Sequence, residues 1–183
     1  MAAAAPARVY SIDEYYAFQQ GSSVRLEYDA GVVTEMAGTT LEHGFIVHDL
    51  SRVTAEWAMQ IGVDLRPGSG VSFRLAQDSV RYPDLFLMSA SRAQQLRRER
   101  GDYVGCPEMV VEVTSESESA WETEKKKNRF FKAGAQVYWM VYANEQRVNV
   151  WTPAGCSCYG AGQDVPGDPL LPGLRIPVTS IFA

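Results

Sequence analysis

Two acidic residues close apolar runs in this chain. Asp84 stands in Arg81-Tyr82-Pro83-Asp84-Leu85-Phe86-Leu87-Met88, and Glu112 in Pro107-Glu108-Met109-Val110-Val111-Glu112-Val113-Thr114. Lys125, Lys126 and Lys127 follow Glu112 after a stretch long enough for one helical crossover. A carboxylate inside a strand-like apolar run is unfavourable unless something pairs with it. Two carboxylates with a cation nearby suit metal-dependent phosphodiester hydrolysis, which needs a nucleophilic water, neutralisation of developing charge and in-line geometry. Hard divalent ions such as Mg2+ or Mn2+ supply these, prefer carboxylate oxygens, and take as few as one or two of them. Asp84 and Glu112 are the candidate metal ligands.

Only one of the three lysines can face such a site, because adjacent helical residues diverge by about 100°. Lys126 shares a helix face with Glu122 and Phe130. Phe130 and Ala133 read as the buried side, so Lys126 is the candidate to lie by the sheet and hold the attacking water. Lys125 and Lys127 are expected in solvent or on phosphates. Each residue also has a plainer reading. Asp84 after proline can be a turn residue, Glu112 and Lys126 a structural ion pair, and the lysine run a solvated helix face.

The elements that must position these residues are legible in outline. Ser11 with Glu14 three residues on is a capping-box signature for a helix ending near Gly21. Residues 24–28 and 32–36 flank Asp29-Ala30-Gly31 and predict a hairpin whose glycine supplies positive φ. Residues 40–61 predict a helix with Ile46, Leu50, Val53 and Trp57 on one stripe. Strands are expected at 63–66, 71–75 and 85–88, with Pro67-Gly68-Ser69-Gly70 as a loop. Ser89-Ala90-Ser91 is expected to cap a basic helix running to Arg100. Met109–Val113 reads as a strand buried on both faces, with Glu112 on the face of Val110 and Thr114 and opposite Met109, Val111 and Val113. A helix over 119–133 stops at Gly134, and 137–142 and 147–151 form a second hairpin. The path from Glu112 through the helix to Val137 has βαβ length, so those strands are expected to be parallel. The Pro- and Gly-rich end from Thr152 is expected to wrap the surface with one short strand.

The chain has 183 residues, 46% apolar and 21% charged, which suits one α/β domain with a real core. Residues 1–9 are expected to be a disordered tail and 10–183 a single domain. No apolar stretch approaches the roughly 20 residues that span a bilayer, and the alanine-rich start has neither the basic nor the apolar region of a signal peptide. Three cysteines argue for free thiols in a reducing compartment, so the cytoplasm is expected. Cys156-Ser157-Cys158 reads as exposed thiols in a turn. A net charge of −5 does not favour avid nonspecific nucleic-acid binding. Arg25 and Glu27 are read as structural, and Trp57, Trp121, Trp139 and Trp151 as core or interface aromatics.

Tyr82-Pro83-Asp84, Val111-Glu112-Val113-Thr114-Ser115, Lys126, Phe130, Ala133-Gly134 and Tyr138-Trp139-Met140-Val141 stand in an order that resembles the Uma-type restriction endonuclease family of the PD-(D/E)XK nuclease superfamily. Arg25–Ala37 and Leu41-Glu42-His43-Gly44 are similar to its N-terminal half. The resemblance covers the chain from about Tyr10 onward. It implies a restriction endonuclease-like core, a mixed sheet preceded here by the N-terminal helix and hairpin. It also implies that the lysine ordinarily two residues after the Glu, where Thr114 stands, has moved to the following helix as Lys126. Glu42 matches an acidic residue from the first core helix, and His43 a frequent family position. Glu116, Glu122 and Tyr142-Ala143 depart from the family pattern.

The expected function is a Mg2+- or Mn2+-dependent endonuclease acting on DNA. Asp84, Glu112 and Lys126 would be catalytic, and Glu42 and His43 supporting. A homodimer is expected, because cutting both strands needs two sites. The alternative is an inactive nuclease-fold protein that binds nucleic acid or a protein partner.

Overall fold

The structure, a computed structural model, describes residues 8–36, 38–114 and 120–182. Most of the expected tail, Ala37, Ser115, Glu116 and the first residue of the expected 119–133 helix lie outside the described residues. In chain order the elements are α1 (Ile12–Gly21), β1 (Leu26–Asp29), β2 (Val32–Glu35), α2 (Leu41–Ile61), β3 (Arg66–Gly68), β4 (Phe73–Ala76), β5 (Ser79–Arg81), β6 (Leu85–Met88), α3 (Ala90–Gln95), β7 (Arg97–Glu99), β8 (Asp102–Val104), β9 (Met109–Thr114), α4 (Ala120–Ala133), β10 (Val137–Tyr142), β11 (Arg147–Thr152), β12 (Gly155–Tyr159), β13 (Asp164–Pro166), β14 (Arg175–Pro177) and α5 (Val178–Ile181).

The strands form two six-stranded mixed sheets, ordered β2-β1-β5-β4-β8-β7 and β12-β11-β10-β9-β6-β3, and a small β13-β14 ribbon. β9 and β10 are parallel, from Met109↔Val137 to Thr114↔Tyr142, and α4 makes the crossover between them. The central strands of the second sheet, β9 and β10, are buried on both faces. Met109, Val111 and Val113 join Ile46 and Leu50 of α2 on one side, while Val110, Tyr138 and Met140 meet Phe130 of α4 on the other. This alternation points Glu112 towards α4. Tyr15, Tyr16, Leu26, Tyr28 and Val80 pin α1 onto the first hairpin.

The helix starts follow their caps. Ser11 and Glu14 exchange side-chain and backbone hydrogen bonds in a full capping box. Thr40 Oγ1 accepts from the His43 N–H at 3.1 Å and so fixes the first turn of α2. The β1–β2 turn places Ala30 at φ 50° and Gly31 at φ 89°, so the twist-matched hairpin turn draws an alanine as well as the glycine into the left-handed region.

Several expectations are corrected. The basic helix stops at Gln95, and Arg97–Val104 is a hairpin turning at Arg100-Gly101, both with positive φ. Pro67 and Gly68 lie in β3, not in a loop. β3 is an edge strand, where a proline's missing N–H is tolerated, and a Cβ on Gly68 would meet the Phe86 ring at 2.5 Å. The stripe expected on α2 does pack on the main core, with Ile46 and Leu50 buried and Val53 and Trp57 partly buried, and Thr54 and Ala58 widen it, Thr54 Oγ1 donating to the Leu50 carbonyl. The C-terminal segment is not a surface wrap, because Val165, Leu171, Leu174, Ile176, Val178 and Ile181 sit in the main core. Cys156 and Cys158 are exposed on β12 rather than in a turn, and all three cysteines are free thiols. No described helix is long and apolar enough to cross a membrane.

Candidate active site

β6 runs antiparallel to β9 with Leu85 opposite Val111. One step further in that register, Asp84 comes opposite Glu112, and opposed residues in a strand pair share a face. Asp84 Oδ2 accepts from the Val113 N–H at 2.8 Å and lies 3.2 Å from His43 Nε2. Thus the Thr40 cap, through the first turn of α2, holds the imidazole against Asp84. Glu112 is 5% exposed. Its Oε2 accepts from Lys126 Nζ at 2.8 Å, while its buried Oε1 accepts no hydrogen bond from the described residues.

A third carboxylate completes the cluster. Glu27 Oε1 lies 3.3 Å from Lys126 Nζ and accepts from the Tyr82 N–H at 2.9 Å, while its Oε2 accepts from Arg81 Nη1 at 2.8 Å. The sequence reading treated Glu27 as structural and did not place it at the site. Its signal was the alternation in Leu26-Glu27-Tyr28-Asp29. Leu26 and Tyr28 go to the α1 cluster, which leaves Glu27 and Asp29 together on the other face.

Burial sets the proton affinities first, and the ion pairs modify them. Glu112 is held well above the ordinary carboxyl range by burial. The Lys126 ammonium opposes this, and the neighbouring Asp84 and Glu27 charges add to it. Burial also pulls Glu27 up, but Lys126, Arg81 and the Tyr82 N–H outweigh it, so Glu27 falls below its ordinary value. Asp84 is likewise lowered. Burial there is outweighed by His43, Lys126 and the Val113 N–H. For Lys126, burial favours the neutral amine, but Glu112, Glu27 and Asp84 override it and raise its affinity for the proton. Lys126 is therefore a fixed cation.

The other members of the basic run are also committed to acids. Asp29 is ion-paired with Arg81 Nη2 at 3.1 Å, with Arg129 Nε at 2.8 Å, and with Lys125. Arg129 also grips Asp78 through both terminal nitrogens, at 3.0 and 2.8 Å. Lys127 is 6% exposed, donates to Glu124 and lies 4.8 Å from the Trp151 ring centroid. Neither Lys125 nor Lys127 is the solvated side chain expected, because the acids of the first hairpin and of α4 itself neutralise the run.

The Asp84, Glu112, Glu27 and Lys126 cluster opens onto a cleft of about 770 Å³. Glu27, Asp29, Glu35, Glu42, Asp84, Glu112 and Glu122 face Arg81, Lys125 and Lys126 across it. Of the five site residues expected from the sequence, Asp84, Glu112, Lys126 and His43 converge. Glu42 is exposed on the rim and makes no hydrogen bond or ion pair with a described residue. Trp139 is core, whereas Trp121 is exposed and lines the cleft. Among the described residues no three His, Cys, Asp or Glu side chains converge as a metal-binding group. The set nevertheless fits a hard cation that keeps several waters and takes only one or two carboxylates. Asp84 and Glu112 line the same cleft, and the buried Glu112 Oε1 accepts no hydrogen bond among the described residues.

The Uma2 family model, described as "Putative restriction endonuclease", matches residues 12–179. A solved structure described as a "putative nuclease belonging to DUF820", from Anabaena variabilis ATCC 29413, is similar with a TM-score of 0.75 at 20% identity, covering 88% of this chain and 91% of that chain. At that identity the likeness is one of fold, and it agrees with the mixed α/β, restriction endonuclease-like architecture expected from the sequence. No curated protein matches the chain.

Proposed function

The chain belongs to the Uma2 family, and from that premise we propose that its cleft hydrolyses phosphodiester bonds in DNA with Mg2+ or Mn2+. The observation that supports this reading is the buried Glu112 Oε1, which accepts no hydrogen bond among the described residues, with Asp84 lining the same cleft and Lys126 beside it. Asp84 and Glu112 would hold the divalent ion. When bound, that ion neutralises charge on the phosphate and raises the acidity of water.

The rest of the work falls to the chain's own groups. Lys126 keeps its proton, so it serves as a hydrogen-bond donor that orients water and stabilises negative charge on the phosphoryl oxygens. It does not act as a base. His43 touches Asp84 and fixes the direction of that carboxylate, which makes it a positioning residue. Glu27 holds Lys126 from the first hairpin. Glu42 stands at the rim, where it would meet cation or substrate from the solvent side. One cleft cuts one strand. Cutting both strands of a duplex at one place calls for a two-fold dimer, and light scattering of the pure protein tests that part of the reading. The free thiols suit action in the cytoplasm.

Pure protein incubated with plasmid and linear DNA and Mn2+ should cleave, and Asp84→Asn or Glu112→Gln should lower the rate at least about a hundredfold, as expected when a principal electrostatic contribution is lost. Cleavage untouched by Asp84→Asn would overturn the assignment. A second reading, an inactive binding module, is favoured by the pairing of every basic side chain that lines the cleft. Retention of DNA without any heat of Mn2+ binding in calorimetry would select it.

A further inference from the structure

We propose that Trp121 is a stacking platform for an unpaired nucleobase, so that the cleft takes single-stranded DNA; this rests on the phosphodiesterase reading above. Tryptophan is on average a highly buried residue, yet Trp121 is 68% exposed. It lines the same cleft as Asp84, Glu112 and Lys126.

The indole is not loose. Lys125, one helical turn on, has its Nζ 5.2 Å from the ring centroid, and Lys125 is itself ion-paired with buried Asp29. A cation so placed holds the ring by its π-cloud and still leaves most of the ring surface to solvent. An aromatic face beside a backbone-cleaving site is how single strands are held without sequence readout, because every base has a π-face to offer. In a duplex each base is already stacked between its neighbours and has no free face. Charge points the same way. The cleft's cations are engaged by Glu27, Asp29 and Glu112, so no row of free cations tracks a duplex backbone among the described residues. Stacking supplies affinity that does not draw on phosphate charge.

The test measures Mn2+-dependent cleavage of a single-stranded oligonucleotide, the same strand carrying abasic sites, and the duplex, by wild type, Trp121→Ala and Trp121→Phe. Trp121→Ala should lower kcat/KM on the intact strand about tenfold or more, mainly through KM, as loss of one stacked base predicts. Trp121→Phe should retain most of the wild-type value. On the abasic strand the wild type should already be slow, with no further loss in Trp121→Ala. With Ca2+ in place of Mn2+, the intact strand should quench tryptophan emission in the wild type and much less in Trp121→Phe.

An intact strand cleaved equally by wild type and Trp121→Ala overturns the inference while leaving the phosphodiesterase reading in place. So does an equal loss on the abasic strand. Conversion of a dimer to a monomer by Trp121→Ala in light scattering assigns the ring to a second copy and overturns it as well. A wild type that cleaves no DNA at all removes the phosphodiesterase reading and this inference with it.

Discussion

At Glu112, burial and the nearby charges of Asp84 and Glu27 outweigh the Lys126 ammonium, so the carboxyl group favours its proton. This has a definite sign for stability. A group whose pKa is raised on folding binds more protons in the native state, so stability falls as pH climbs from its ordinary value of 4.5 through the raised one. Asp84 and Glu27 are lowered, so their contributions are present above the ordinary carboxyl range and vanish only as pH falls through their folded values. Without metal, the wild type should therefore lose Tm as pH climbs from 4.5 towards the raised value. Glu112→Gln keeps an acceptor for Lys126 and should not show that loss. Above the raised value its Tm should be the higher by about 2–4 °C for each kcal/mol relieved. Thermal unfolding in chelator checks this, and a wild-type Tm that rises with pH over that range would refute the proton assignment. The same logic applies to metal binding. Proton release should accompany Mn2+ binding at pH values below the raised one, visible as a dependence of calorimetric heat on buffer ionisation enthalpy, and Glu112→Gln should abolish it.

At the scale of elements, the first hairpin and α4 form one device. β1 sends Glu27 and Asp29 from the same face towards α4, and Lys125, Lys126 and Arg129 answer them. Phe130, one turn after Lys126, anchors the helix on Val110 and Tyr138. Because Asp29 is buried, Asp29→Asn takes away the counter-charge of Lys125 and the one that Arg81 and Arg129 share with it, leaving Arg81 only Glu27 and Arg129 only Asp78. It should destabilise the protein by on the order of 3 kcal/mol, near the range for breaking a buried pair. Asp78→Asn, at a half-exposed pair, should change it by less than about 1 kcal/mol. Urea unfolding of the two variants decides; equal effects would mean that Asp29 does not tether the helix.

The same pair of elements shows what could be read from the chain. The apolar run around Glu112 and the i, i+4 relation of Lys126 to Phe130 fixed a strand, a helix and a direction. Those depend on local periodicity. Glu27 escaped because its importance comes from pairing with β5 and α4, far away in sequence. Residues 97–100 read as the end of a helix because a capped, basic stretch lacks the alternation that marks a strand, and only the Arg100-Gly101 turn signalled the hairpin. The C-terminal apolar residues are spaced by prolines and glycines, so no period showed that they enter the core.

For the whole molecule, the net charge of −5 and the neutralised basic run limit how nucleic acid can be held. Proteins that grip a duplex by its phosphates release about 0.9 counterions per contact, and those with 6–10 contacts lose about 10³–10⁵ in affinity between 50 and 200 mM salt. Here Lys125, Lys126, Lys127 and Arg129 of α4 are bound to Asp29, Glu27, Glu112, Glu124 and Asp78. Freeing any of them for a phosphate means breaking a pair first. The acidic cleft should therefore repel a nucleic-acid strand until divalent cations occupy it. Anisotropy titrations of a labelled single strand should show binding with Ca2+ or Mn2+ that falls at least about tenfold in chelator. The salt slope with the divalent ion held fixed should correspond to fewer than about three phosphate contacts. Tight binding in chelator with a steep salt slope would mean that a basic surface elsewhere on the molecule does the holding, and that the cleft does not.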